Sequence, residues 1–174
     1  MTPDARTTDV TCRYKLPYPI ALLYKQVYSS HRPAAKLIFT FQLVEGIIRF
    51  LAFINLADAI ALQASDKRVN DWFQKLVRPT MGSLLYIFRE TTRFLKKKGD
   101  LFVPETVSLI ESDNDDWENH ADIIIKLRNR IIHDFRPVDD TAANDYNDSI
   151  RESLGLVLRS ILFLSHYYRE FSEK

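Results

Sequence analysis

The 26-residue stretch LIFTFQLVEGIIRFLAFINLADAIAL, Leu37 to Leu62, decides the fold. It is apolar on nearly every side of a helical projection, which marks a helix meant for the centre of a bundle. Its length also raises a membrane span, but Gln42, Glu45, Arg49, Asn55 and Asp58 interrupt it throughout. A charge at a bilayer centre costs roughly 3 kcal/mol even on the lenient insertion scale, so a buried helix without a membrane is the better expectation. Spacings of three and four then put Gln42, Glu45 and Arg49 on one narrow polar stripe of that helix. Buried or half-buried charges are normally paired. The stripe therefore reads first as an ion pair at a helix-helix contact, and second as support for a polar site shared with another helix.

The rest of the chain reads as helices of ordinary length around this one. Residues 1 to about 16 are polar and expected as a flexible arm, with a single helical domain over 17–174. Pro17 and Pro19 open a helix over about Ile20 to Ser30. Pro33 stands at or near the start of the central one, expected over about Ala34 to Ala64. Helices follow over Asp66 to Val77 and Thr80 to Lys98, the second closing at Gly99, where glycine is the favoured cap. A short helix is expected over Pro104 to Ile110. The acidic run Ser112 to Asp116 suits the start of another, reaching Phe135 and stopped by Pro137. Asp139-Asp140-Thr141 caps a last helix over about Ala142 to Phe171. With only four glycines and no alternating strand pattern, the fold class is all-α: an antiparallel bundle of five to six helices.

Formal net charge is +1, so no global basic field announces a nucleic-acid binder. Charge is unevenly spread, however. Lys67 to Lys98 holds nine Lys or Arg against two acidic residues, and Glu105 to Asp122 holds seven acidic residues and no Lys or Arg. Such runs are usually solvated helix faces and dipole caps, and a phosphate-tracking surface is the sharper alternative. The single cysteine, Cys12, cannot form an intrachain disulfide, and no basic start with an apolar run precedes it. Both point to a cytoplasmic setting. Paired metal-ligand spacings, a glycine-rich phosphate loop and a Gly-x-Ser-x-Gly elbow are all missing from the sequence, so no cofactor or metal is expected.

The candidate chemistry lies in Leu127-Arg128-Asn129-Arg130-Ile131-Ile132-His133-Asp134-Phe135. At 100° per residue, Ala121, Ile124, Ile131, Ile132 and Phe135 surround the direction of Arg128. The arginine thus falls inside the apolar stripe, with Asn129 and His133 together at its margin, while Lys126, Arg130 and Asp134 face the other way. A cation so placed must meet Glu45, another carboxylate, a subunit interface or an anionic ligand. The plain alternative is a structural pair with a helix-two carboxylate, and His133 as a dipole cap. Arginine followed by histidine after a similar gap occurs once more, at Arg159 and His166. Those two point away from the stripe of Ile150, Leu154, Val157, Ile161, Leu164 and Tyr168 and are assigned no role.

Arg128-Asn129-Arg130-Ile131-Ile132-His133 resembles the signature of the HEPN superfamily (higher eukaryotes and prokaryotes nucleotide-binding). That signature is an arginine, four to six residues, then histidine, often with a polar residue directly after the arginine. Here four residues intervene and Asn129 is the polar one. The resemblance implies an antiparallel helical bundle that homodimerises. It also implies a metal-independent endoribonuclease that cuts single-stranded RNA by 2′-hydroxyl attack at a composite interface cleft. Arg128, Asn129 and His133 would be its catalytic residues, with Glu45, Arg49 and Gln42 in support. A toxin or antiviral-defence effector, with an antitoxin or effector protein as partner, is the implied setting. The alternative is a non-catalytic dimerisation or sensor module that regulates a partner effector. One subgroup of these toxins carries a modified tyrosine two residues after the histidine. Phe135 stands there, so control by adenylylation of that position is not expected.

Overall fold

The computed structural model describes residues 4–63, 66–99, 101–111, 117–133 and 138–167, and these hold helices and turns and no strand. The helices are α1 (Ala5–Tyr14), α2 (Tyr18–Ser29), α3 (Pro33–Gln63), α4 (Lys67–Leu76) and α5 (Met81–Lys98). A 3₁₀ turn (Pro104–Val107) then leads into α6 (Ser108–Glu111), α7 (Trp117–His133) and α8 (Asp140–Ser160). The all-α class expected from glycine scarcity and helical periodicity is what forms. The chain packs as two compact units, Met1–Gly46 with Trp117–Lys174, and Ile47–Asp116. Their boundary falls inside α3.

In the first unit the sequence reading of the N-terminus needs correction. The stretch expected as a flexible arm contains α1, capped by the Asp4 carboxylate, which accepts from the Thr7 backbone N–H at 2.7 Å. Cys12 and Leu16, four apart, are buried and anchor α1 and its C-terminal turn. Asp9 accepts from Arg13 at 2.8 Å and from the Tyr24 hydroxyl of α2 at 2.8 Å, which ties the two helices together. Burial pushes the Cys12 thiol up to about 12, so it stays protonated and unreactive.

Ile20, Tyr24 and Val27 form the buried side of α2 at helical spacing. Trp117, Ala121 and Ile124 of α7, and Ile150, Leu154 and Val157 of α8, are likewise buried, and α7 packs on α8. Full burial of each large side chain contributes roughly 1.5–3 kcal/mol. The beginning of α8 is held to the beginning of α3. Asn147 Nδ2 donates to the Pro33 carbonyl at 3.0 Å, and the Ala34 N–H donates to Asp140 at 3.3 Å. Asp139 caps α8 by accepting from the Ala142 N–H at 2.8 Å, as its sequence position suggests.

The last helix is shorter than expected. It ends at Ser160, and a separate turn covers 164–167. Between them the backbone bonds run three residues back, from Ile161 to Leu158 and from Leu164 to Ile161. This is 3₁₀ geometry, whose period of three keeps Leu158, Ile161 and Leu164 all buried. Arg159 and His166 are exposed, in line with the solvated face assigned to them. The expected start at Ser112–Asp116, the stop at Pro137, and the Phe135 and Tyr168 stripe positions lie outside the described residues.

In the second unit Ile47, Ile48, Leu51 and Ala52 of α3, Val69 and Trp72 of α4, and Leu84, Ile87, Phe88 and Leu95 of α5 are buried. Trp72 meets Phe94 edge-on at 5.7 Å. One polar link crosses this core: Asn55 Nδ2 donates to Thr92 Oγ1 at 2.7 Å, and that hydroxyl donates to the Phe88 carbonyl at 2.8 Å. Helix α5 starts in a Thr80/Ser83 capping box and ends at Gly99, whose φ of 74° is left-handed. Among the described residues Pro33–Leu62 is long and apolar enough to cross a membrane, and half of its most apolar window is buried within the protein. That half-burial fits the core role expected from its interrupting polar residues.

Candidate functional site

Helix α7 presents the polar cluster because its sequence changes character along its length. Its first three turns bury Trp117, Ala121, Ile124, Ile125 and Leu127. From Arg128 onward the side chains are half-buried or exposed: Arg128 is intermediate, and Asn129, Arg130, Ile132 and His133 are exposed. Ile132 was expected to flank the arginine in the apolar stripe but is 49 % exposed. Ile131, on the same stripe, is half-buried.

Arg128 finds the carboxylate that helical projection offered it. Its Nη2 lies 3.9 Å from Glu45 Oε2 of α3, with the two side chains 30 % and 27 % exposed. That separation is Coulombic contact beyond hydrogen-bond length, so the guanidinium is steered without being locked. Its Nη1 donates to Asn129 Oδ1 at 3.3 Å, a long bond that orients the amide. Asn129 and His133 are four apart and share a face. Arg128 and His133 are five apart, about 140° around the helix. On one rod these two groups look in different directions, and Asn129 lies between them. Gln42 is exposed on α3, one turn before Glu45. Arg49 is exposed too, one turn after Glu45 on α3, and falls in the second unit.

Part of the basic run over α4 and α5 is paired on its own unit. Arg68 pairs with Asp66 at 2.7 Å and lies over the Phe94 ring at 4.6 Å. The same bonds hold the Asp66 carboxyl down at about 2. Arg93 pairs with Glu90 at 3.0 Å, Lys96 pairs with Glu111, and Lys75 sits over the Tyr86 ring at 4.9 Å. These local pairs are of the kind that a solvated helix face forms.

Reading the sequence missed one pair. His120 Nδ1 lies 3.0 Å from Ser153 Oγ, linking α7 to α8. A serine beside an imidazole is the start of a nucleophilic arrangement. Ser153 is only 6 % exposed, and among the described residues no carboxylate bonds the His120 ring. The pair is therefore a structural clip between helices. The available signal was that both residues border apolar stripes, His120 next to Ala121 and Ser153 next to Leu154. Among the described residues no group of three His, Cys, Asp or Glu side chains gathers to hold a metal ion. Compared with known proteins, the chain matches no family model, no curated protein and no solved structure.

Proposed function

We propose that the chain is a metal-independent endoribonuclease of the HEPN type, acting on single-stranded RNA as a homodimer. The observation that carries this reading is half-buried Arg128 beside exposed Asn129 and His133 at the polar end of a helix whose first three turns bury an apolar face. Arginine, an amide and an imidazole are the groups that phosphodiester transfer needs. His133 as general base would take the proton of a ribose 2′-hydroxyl. The 2′-oxygen then bonds to phosphorus, the bond from phosphorus to the 5′-oxygen breaks, and that oxygen leaves with a proton from water. Arg128 would hold the nonbridging oxygens as charge grows on them, and Asn129 would orient phosphate or ring. The products are a 2′,3′-cyclic phosphate and a 5′-hydroxyl. The 140° divergence of Arg128 and His133 on one helix supports a cleft built from two protomers, the arginine of one serving beside the imidazole of the other. The resemblance of the motif supports a role as a toxin or antiviral effector.

A second reading draws on the Glu45 contact. If Arg128 serves mainly as its ion-pair partner, the chain is a non-catalytic dimerisation or sensor module. The experiment incubates the protein with single-stranded RNA in excess chelator and assays for 2′,3′-cyclic ends. The nuclease reading expects cleavage that falls about 100-fold or more in His133→Ala and Arg128→Ala with the fold retained. It also expects Glu45→Gln, which releases the guanidinium, to keep cutting. A protein that leaves RNA whole, with Glu45→Gln and Arg128→Ala both lowering Tm, would favour the second reading.

A further inference from the structure

A cavity of about 240 Å³ opens between α2, α3 and α8 within the first unit. It shares no residue with the Arg128 cluster. Val27, Ile150 and Leu154 give it apolar walls, and Tyr28 adds a ring stacked on Tyr24 at 4.3 Å. Lys36 and Arg151 bring two cations to the same space.

Lys36 is the telling residue. It is half-buried, and among the described residues its ammonium has no ion pair or hydrogen bond. It also stands four residues into α3, near the positive end of that helix, where a cation is disfavoured by about 0.3–1 kcal/mol. The first turn of α3 holds no acidic side chain of its own, and the Asp140 carboxylate of α8 serves that end by accepting from the Ala34 N–H at 3.3 Å. A half-buried ammonium with no partner of its own among the described residues is available to an anion in the cavity. Arg151 is paired with Asp148 three residues earlier, but both side chains are largely exposed, at 77 % and 63 %. Such a surface pair is weak, and the guanidinium can turn to a second anion. The walls are fixed. Thr40 Oγ1 donates to the Lys36 carbonyl at 2.9 Å, and Asn147 Nδ2 to the Pro33 carbonyl at 3.0 Å.

We infer that this cavity binds a small aromatic anion: one phosphate or carboxylate group held by Lys36 and Arg151, with its ring on Tyr28, Val27, Ile150 and Leu154. The volume sets the size, being below the roughly 300–1,000 Å³ of sites for drug-sized ligands. The charge sets the head group. Among the described residues Lys36 and Arg151 line the cavity and no carboxylate does, and the ammonium suits a phosphate or carboxylate oxygen equally.

The test titrates the full chain with phenyl phosphate, benzoate, inorganic phosphate and benzyl alcohol, followed by ligand-observed NMR. Phenyl phosphate or benzoate is expected to saturate, and which one does so identifies the head group. Inorganic phosphate and benzyl alcohol, each carrying half of the recognised chemistry, are expected to bind at least about tenfold more weakly. Lys36→Gln, at a half-exposed position that the core does not depend on, is expected to weaken the better ligand about tenfold without lowering Tm. Leu154→Phe, which narrows the cavity, is expected to weaken it as well. Failure of both aromatic anions to saturate at millimolar concentration would overturn the inference. So would a Lys36→Gln protein that binds as tightly as wild type. Inorganic phosphate binding as tightly as phenyl phosphate would overturn the apolar half of the site. RNA cleavage is read separately in each variant, so none of these outcomes depends on it.

Discussion

Asp9 shows how one side chain ties a polar helix to the protein. Its carboxylate accepts from Arg13 and from the Tyr24 hydroxyl. The Arg13 hydrogen bond first, and the Tyr24 bond after it, hold its pKa below the usual carboxylate range against an opposing desolvation. A depressed folded-state pKa contributes stability above the unfolded value, and that contribution is lost as pH falls through the folded value. Asp9→Asn should therefore destabilise the protein at pH 7, and the gap to wild type should close as pH drops below about 4. The side chain is 40 % exposed, so solvent screening keeps the gap under about 1 kcal/mol. Urea unfolding at several pH values measures it, and a gap independent of pH would remove the role given to the charge. At this scale the sequence was partly legible. The direction of Arg128 follows from 100° per residue, and Glu45 was among its named partners. The 3.9 Å separation and the exposure of Ile132 depend on how α7 ends against its neighbours, which periodicity does not encode.

Helices separate into those that periodicity reveals and those that it hides. α3 through α5 stand within a residue or two of their expected bounds, because their caps (Asp66, Thr80, Gly99) and apolar runs agree. α1 was read as an arm because its sequence, ARTTDVTCRY, has too few apolar residues for a visible stripe. What docks it is Cys12 and a long-range hydrogen bond from Tyr24, and no local pattern announces either. The end of α8 was hidden for the opposite reason. Leu158, Ile161 and Leu164 continue the buried stripe straight through the change to 3₁₀ geometry. Two glycines test the helix ends and contacts separately. At Gly99 an added Cβ meets nothing within 4 Å, so Gly99→Ala should cost only the left-handed backbone penalty of about 1–2 kcal/mol, and Gly99→Asn less. At Gly46 the Cβ would lie 2.7 Å from the end of the half-buried Leu23 side chain, which can rotate away. The gain of about 1 kcal/mol in helix propensity should then leave Gly46→Ala near neutral, while Gly46→Ile costs about 1–3 kcal/mol. Thermal melts of the four variants rank them, and a strongly destabilised Gly46→Ala would mean that Leu23 is held fast.

For the whole molecule, the question is whether one chain or two builds the proposed nuclease centre. Arg128 and His133 diverge on a single helix, so a protomer acting alone would need its arginine to curl back past Asn129 to reach an oxygen beside its own imidazole. Two protomers remove that demand, and mixing experiments can detect them. Arg128→Ala and His133→Ala homodimers each lack one function at both motifs. A mixed dimer keeps one arginine and one histidine, on different chains. Random exchange of equal amounts puts about half of all dimers in the mixed form. A composite centre that uses one arginine with the opposite histidine should regain a measurable fraction of wild-type cleavage, although neither parent cuts. The regained activity should appear only after subunit exchange, and it should vanish on dilution below the dimer dissociation constant, as mass action requires. If the mixture stays as inactive as its parents while light scattering shows exchanged dimers, the centre lies within one chain or is absent. If wild-type cleavage per molecule is unchanged on dilution to monomer, the second chain is dispensable. Low net charge makes the assay clean at physiological salt, because a chain of charge +1 has little long-range attraction to hold RNA without a built site.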